Sequence, residues 1–152
     1  IWHCGAPHID LLAPDLYDKG FVDWVAQYKL PNNPLFIPEI KRSMNNSVQA
    51  LYVFAEHDAI GFSPFSIEDG SDSPQDPLVQ GYGLMKELMP VITSNQGKGV
   101  MNGLFFDAQN KERVLQYDGV KLTCRHYFTL PLERRTTRHL LERRKPCWHR
   151  NG

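Results

Sequence analysis

Asn33-Pro34-Leu35-Phe36-Ile37-Pro38-Glu39 is the stretch whose reading decides the fold. A turn leads into three apolar residues, and a proline and a carboxylate follow them. A short apolar run bounded by turn formers is the pattern of a buried strand in a parallel sheet. Pro38 has no N–H to give to a ladder, so the regular strand is expected to end there. Glu39 then stands at the strand's carboxyl end, where α/β enzymes collect their catalytic groups. The plain alternative for such a glutamate is a solvated or capping residue.

Upstream, Ile9-Asp10-Leu11-Leu12-Ala13-Pro14-Asp15-Leu16-Tyr17 reads as another short strand running into a loop. From Phe21 to Leu30 the residues Phe21, Val22, Trp24, Val25 and Tyr28 recur near i, i+3, i+4 and i+7. That period predicts a helix with one apolar face. Pro31-Asn32-Asn33-Pro34 stops it, because proline cannot continue a helical ladder and restricts the residue before it. Strand, helix, strand is the βαβ unit of a parallel sheet, with a right-handed crossover expected.

Downstream, Lys41 to Asn46 is a polar loop, and Ala50-Leu51-Tyr52-Val53-Phe54-Ala55 is predicted as a third strand, apolar on both faces. It would run into a long loop, Glu56 to Asp69, rich in aromatic and polar residues, of the kind on which sites are built. Pro77 to Thr93 returns to helical spacing through Leu78, Tyr82, Met85, Leu88 and Met89, and Met85 and Met89 are read as core rather than a binding box. Asn95-Gln96-Gly97-Lys98-Gly99 marks a change of pattern. It lacks the first glycine and the Ser/Thr after the lysine that a phosphate loop requires. Val100 to Phe106, Arg113 to Tyr117 and Val120 to Leu130 are predicted to be β-rich, and Asp118-Gly119 between apolar residues is a hairpin turn.

The composition excludes several function classes. Lys+Arg and Asp+Glu are balanced at 17 each in 152 residues. Net charge therefore argues for neither a nucleic acid nor a membrane partner. Cys4, Cys124 and Cys147 lie far apart without a C-x-x-C pair, so free thiols are expected, with no disulfide framework and no metal site. No apolar run approaches the roughly 18 residues that span a bilayer. The last twenty residues depart from the rest. Arg134, Arg135, Arg138, Arg143, Arg144, Lys145 and Arg150 make a basic run without a sustained amphipathic period. It reads as a nucleic-acid or membrane-surface arm, or as a non-native or disordered tail over 133–152.

Ala13-Pro14-Asp15-Leu16-Tyr17, Asn33-Pro34-Leu35-Phe36-Ile37-Pro38-Glu39 and Glu56-His57-Asp58-Ala59-Ile60-Gly61-Phe62-Ser63-Pro64-Phe65, in that order, closely resemble the last strands of the catalytic barrel in bacterial β-galactosidase-like enzymes of glycoside hydrolase family 35. The resemblance covers roughly residues 1–130. It implies an α/β fold: a partial (β/α)8 TIM barrel, its last three strands the sixth, seventh and eighth, over 1–96, with the start of an antiparallel β module over 97–132. It also implies that the chain is a piece of a longer bacterial enzyme, expected to be periplasmic or extracellular.

Enzymes of that family are retaining, and the position matching their nucleophile is Glu39. Their acid/base glutamate ends the fourth strand, which would leave this chain with the nucleophile and without the proton donor. Glu56 and Asp58 are the nearby carboxylates, but the resemblance places them on the eighth strand's loop, in sugar-binding or structural roles. Tyr17 matches a tyrosine that hydrogen-bonds the nucleophile and keeps it ionised and oriented; on its own it reads equally as packing. His57 is a candidate for contact with a sugar hydroxyl or a structural histidine. Phe62 and Phe65 read as an apolar wall for a pyranose face or as ordinary core. The expected ligand is an oligosaccharide or β-galactoside, with no cofactor. The competing expectation is a non-catalytic carbohydrate-binding or interaction module derived from such a barrel.

Overall fold

The structure is a computed structural model and describes residues 2–70 and 73–127. The chain divides after Phe105 into two compact units. The sequence boundary was expected after residue 96, nine positions earlier.

The first unit opens with a short helix, α1 (Trp2–Gly5), and continues β1 (Asp15–Leu16), α2 (Phe21–Tyr28), β2 (Phe36–Ile40), α3 (Asn46–His57), β3 (Gly61–Pro64), a single 3-10 turn (Ile67–Asp69) and α4 (Pro77–Asn95). The three strands form one parallel sheet in the order β1-β2-β3. Asp15 stands opposite Glu39 and Leu16 opposite Ile40, while Phe36 and Ile37 stand opposite Gly61 and Phe62. Each crossover is a helix, as βαβ units require. The described residues thus form a mixed α/β protein with a three-stranded parallel sheet.

Several expectations about β structure need correction. Ala50 to Ala55 is not a strand but the middle of α3. Its apolar run is continuous because the helix is covered on several sides: Ala50, Tyr52 and Val53 are buried, and Leu51 and Phe54 pack against the same core. A short apolar run does not separate a buried strand from a buried helix. The third strand is instead Gly61–Pro64, inside the expected loop. Gly61 is required there because the Phe36 ring lies across it, where a Cβ would collide.

The expected strand over Ile9 to Tyr17 contracts to Asp15–Leu16. Upstream of Pro14 the pairing passes to a side chain. The Asn33 carboxamide accepts from the Leu12 N–H at 2.9 Å and donates to the Leu12 carbonyl at 3.0 Å and the Tyr28 carbonyl at 2.7 Å. Asn33 is 1% exposed while Leu12 is 38% exposed, so the three bonds are partly buried. Leu30 and Asn33 also exchange backbone hydrogen bonds at 3.1 and 3.0 Å, which closes a tight turn over Pro31-Asn32.

β2 does not end at Pro38 either. It runs on to Ile40, with a register shift between Ile37 and Ile40. The irregularity accommodates a proline within the ladder. Ile37 and Ile40 both enter the core although three positions apart. Fully buried Val25, Leu35, Ile37 and Val53 centre that core between sheet and helices. Each such side chain contributes about 1.5–3 kcal/mol by leaving water.

α4 begins as its sequence demands, with Pro77 at its first position and the Asp76 carboxylate accepting from Leu78 N–H at 2.8 Å. Its close approach to α3 depends on Gly81, which faces the Ser47 side chain and has no room for a Cβ. The Ser47 hydroxyl donates to the Pro77 carbonyl at 2.7 Å. Val100 to Phe106 forms no strand, contrary to expectation. The Phe105 ring packs beside Phe21 and Tyr52 at 5.4 and 5.7 Å between centroids.

The second unit contains the antiparallel hairpin β4 (Glu112–Tyr117) and β5 (Val120–Arg125). The expected strand to Leu130 is shorter, and 128–130 lie outside the described residues. Asp118 and Gly119 have φ of 25° and 79°, the positive values that a two-residue hairpin turn needs. Arg125 and Glu112 form a cross-strand ion pair. Cys4 and Cys124 are free thiols. Cys147 and the basic tail over 133–152 lie outside the described residues.

Candidate active site

Helices cover one face of the sheet. Leu16, Ile37, Ile40 and Phe62 point into the core against Val25, Ala50, Val53 and Met85. Successive strand residues alternate between faces, so Tyr17 after Leu16, Glu39 before Ile40 and Phe65 after the buried Pro64 are directed to the other face. They stand at the carboxyl ends of three adjacent parallel strands: Tyr17 follows β1, Glu39 is the penultimate residue of β2 and Phe65 follows β3. Backbone rungs extend the pairing there, with Lys41 N–H donating to Leu16 at 2.9 Å and Phe65 N–H to Ile40 at 2.9 Å.

The three side chains meet. The Tyr17 hydroxyl donates a short hydrogen bond to Oε1 of Glu39. The Phe65 ring stands edge-on to Tyr17, 6.5 Å between centroids and 62° between planes. Tyr17 and Phe65 remain 48% and 53% exposed, so a ligand can reach both. The bond to Glu39 pushes the Tyr17 phenol up to about 12, with desolvation and the charges of Glu39 and Asp15 adding to it. At neutral pH the phenol is therefore a committed donor.

The other candidate residues are elsewhere. Phe62 is buried at 8% and faces the helices. It lines an apolar cavity of about 300 Å³ with Phe54, Tyr82, Met85 and Met89. Its position opposite Ile37 makes it a core residue, so it is not part of the site. Glu56 and His57 were expected on a loop at the carboxyl end of a strand. They lie instead in the last turn of α3, whose end feeds the start of β3 at the far end of the sheet from Glu39. Glu56 Oε2 accepts from Gly103 N–H at 3.0 Å. The His57 ring packs on Tyr52, Nε2 lying 3.3 Å from its hydroxyl. Asp58 caps α3 at φ 50° and accepts from Gly97 N–H at 3.0 Å. These contacts fit the structural alternative held open for each of them, and their expected place on a loop came from reading α3 as a strand.

Two residues that the sequence did not single out frame the site. Asp15 lies beside Glu39 in the register and acts on Tyr17 through its charge. Arg42, two residues beyond β2, donates from Nη1 to the Ser66 carbonyl at 2.9 Å. Only the Asp15 signal was readable, since it sits in the same strand motif as Tyr17. Among the described residues no group of three or more His, Cys, Asp or Glu is arranged to hold a metal ion.

The chain matches the family described as a domain of unknown function (DUF5597) over residues 78–149. That span takes in nearly all of α4 and the whole hairpin, and it begins after Tyr17, Glu39 and Phe65. No curated protein matches the chain.

Proposed function

We propose that this chain carries the nucleophile side of a retaining glycoside hydrolase acting on β-galactosides or related terminal sugars. The observation that carries the reading is the hydrogen bond from Tyr17 to Glu39 across adjacent parallel strand ends, with Phe65 beside it. Three consecutive parallel strands, each crossover a helix on one face, fit the sixth to eighth strands of a (β/α)8 barrel.

In the mechanism, Tyr17 holds Oε1 of Glu39 and leaves Oε2 to attack the anomeric carbon. The bond to the leaving oxygen breaks as that oxygen takes a proton from a second carboxyl about 5–5.5 Å from the first, and water later hydrolyses the glycosyl-enzyme. Glu56 and Asp58 do not supply that proton, being bonded to backbone N–H groups at the other end of the sheet. The donor comes from outside β1–β3, as the family resemblance implies. Phe65 offers the apolar wall against which a pyranose face rests, as sugar and cofactor sites commonly do.

The test uses a substrate that needs no proton donor. A 2-deoxy-2-fluoro-β-galactoside with a dinitrophenolate leaving group is incubated with the full chain, which is then digested and weighed by mass spectrometry. A single glycosyl adduct on the peptide containing Glu39, absent from Glu39→Gln, is expected. No adduct, or one that survives Glu39→Gln, overturns the reading. Sugar binding without an adduct would favour the non-catalytic carbohydrate-binding module.

A further inference from the structure

The turn that carries Phe65 has an unusual anchor. Ser66 has φ 50°, a left-handed conformation that a non-glycine residue adopts only when its surroundings hold it there. The 3-10 turn that follows is closed by Asp69 N–H to Ser66 at 3.2 Å and Gly70 N–H to Ile67 at 3.1 Å. Neither bond reaches the sheet. The link is Arg42, on the loop after β2, whose Nη1 donates to the Ser66 carbonyl from 24 residues away. Gly70 completes the seat: a Cβ there would collide with Nη2 of Arg42 and would come within 2.9 Å of the Ile67 carbonyl oxygen.

The guanidinium therefore joins the segment leaving Glu39 to the segment leaving Phe65. A planar donor fork held against a glycine resists rotation better than a flexible ammonium would. Phe65 has one rigid neighbour on its amino side, its N–H bond to Ile40, and Ser66 on the other. Freeing Ser66 leaves the direction of the Phe65 side chain to the first alone.

We propose that Arg42 is a positioning residue of the candidate site: by holding the Ser66 carbonyl it sets Phe65 against Tyr17 and so shapes the apolar wall beside Glu39. The functional part of this rests on the glycosidase reading above, while the geometric part stands without it.

The test compares the full chain with Arg42→Met and Arg42→Lys by NMR. Two quantities are read: exchange of the Asp69 and Gly70 amides, and the ring resonances of Tyr17, assigned by their loss in Tyr17→Phe. A charge-assisted bond of this kind sets a local opening equilibrium by about tenfold or more. Arg42→Met is expected to speed the two amides by that factor and to move the Tyr17 resonances in the direction seen in Phe65→Ala, with α3 amides unchanged. Arg42→Lys, which keeps a donor without the planar fork, is expected to fall between. Wild-type exchange and wild-type Tyr17 resonances in a folded Arg42→Met protein overturn the proposal. If Arg42→Met does not fold, wild-type values in Arg42→Lys overturn it equally.

A third arm separates the two ideas. Methyl β-galactoside is titrated into each protein, and binding about tenfold weaker in Arg42→Met is expected from loss of one anchored contact. Absence of binding to the wild type counts against the glycosidase reading, and the amide and ring measurements then still decide the role of Arg42. Equal binding by wild type and Arg42→Met overturns the functional part.

Discussion

The hydroxyl of Tyr17 donates to the carboxylate of Glu39 although the two residues are 22 positions apart and at the ends of different strands. The bond occupies Oε1 of Glu39, which in the proposed mechanism leaves Oε2 to attack. Tyr17→Phe removes the donor and keeps the ring. Labelling of Glu39 by the fluorogalactoside is expected to slow by about 10- to 100-fold, the equivalent of one hydrogen bond to a charged group. Glu39→Gln is expected to abolish labelling. Rates of adduct formation in the three proteins check this.

The Tyr17 phenol, pushed up to about 12 from its ordinary 10 by the bond to Glu39, gives a pH signature. A folded-state value above the unfolded one means stability that is whole below pH 10 and is lost as pH rises toward 12. Wild type is therefore expected to lose stability across that window more steeply than Tyr17→Phe. In Glu39→Gln the Tyr17 ionisation is expected to move back toward 10. Spectrophotometric titration of tyrosinate, differenced against Tyr17→Phe, follows both.

Phe62 and Phe65, three residues apart, are expected to respond in opposite ways to truncation. Phe62→Ala empties a buried ring position and should cost about 3–5 kcal/mol in urea unfolding. Phe65→Ala alters a half-exposed ring and should leave unfolding within about 0.5 kcal/mol of wild type. Its effect is expected in sugar binding, which Phe62→Ala reaches only by unfolding the chain. Chemical denaturation alongside a galactoside titration distinguishes the two.

Asn33→Ala would leave the Leu12 N–H and the Leu12 and Tyr28 carbonyls without their partner in a partly buried site. A buried group left unpaired costs about 1–3 kcal/mol, and water can reach part of this site, so a loss of about 1–3 kcal/mol in all is predicted. Asn33→Asp, which keeps an acceptor and loses both donors, should lose nearly as much. Urea midpoints for the two variants give the answer.

Much of this architecture was legible in the chain. Phe21 to Tyr28 declares its helix by spacing, Asp118-Gly119 its hairpin, and Pro77 the start of α4. Glu39 and Tyr17 were legible as strand-end residues because turn formers and prolines bracket their short apolar runs. The misreadings share one physical source. α3 buries so much of its circumference that its period disappears, and β3, with Gly61 and Pro64 in four residues, looks like a loop. Exchanging those two elements sent Glu56 and His57 to the wrong end of the sheet and made Phe62 and Phe65 look alike. The role of Asn33 was not readable at all, since a turn asparagine and one that replaces a strand rung have the same local sequence.

The carboxamide of Asn33 reaches Leu12 over 21 residues, Tyr17 reaches Glu39 over 22, and Arg42 reaches Ser66 over 24. Each link therefore closes a loop of nearly the same size, between one βα unit and the next. The entropy of such closure depends only weakly on length, so the three steps carry similar costs. No one of the three closures is thus expected to dominate the cost of ordering these strand ends.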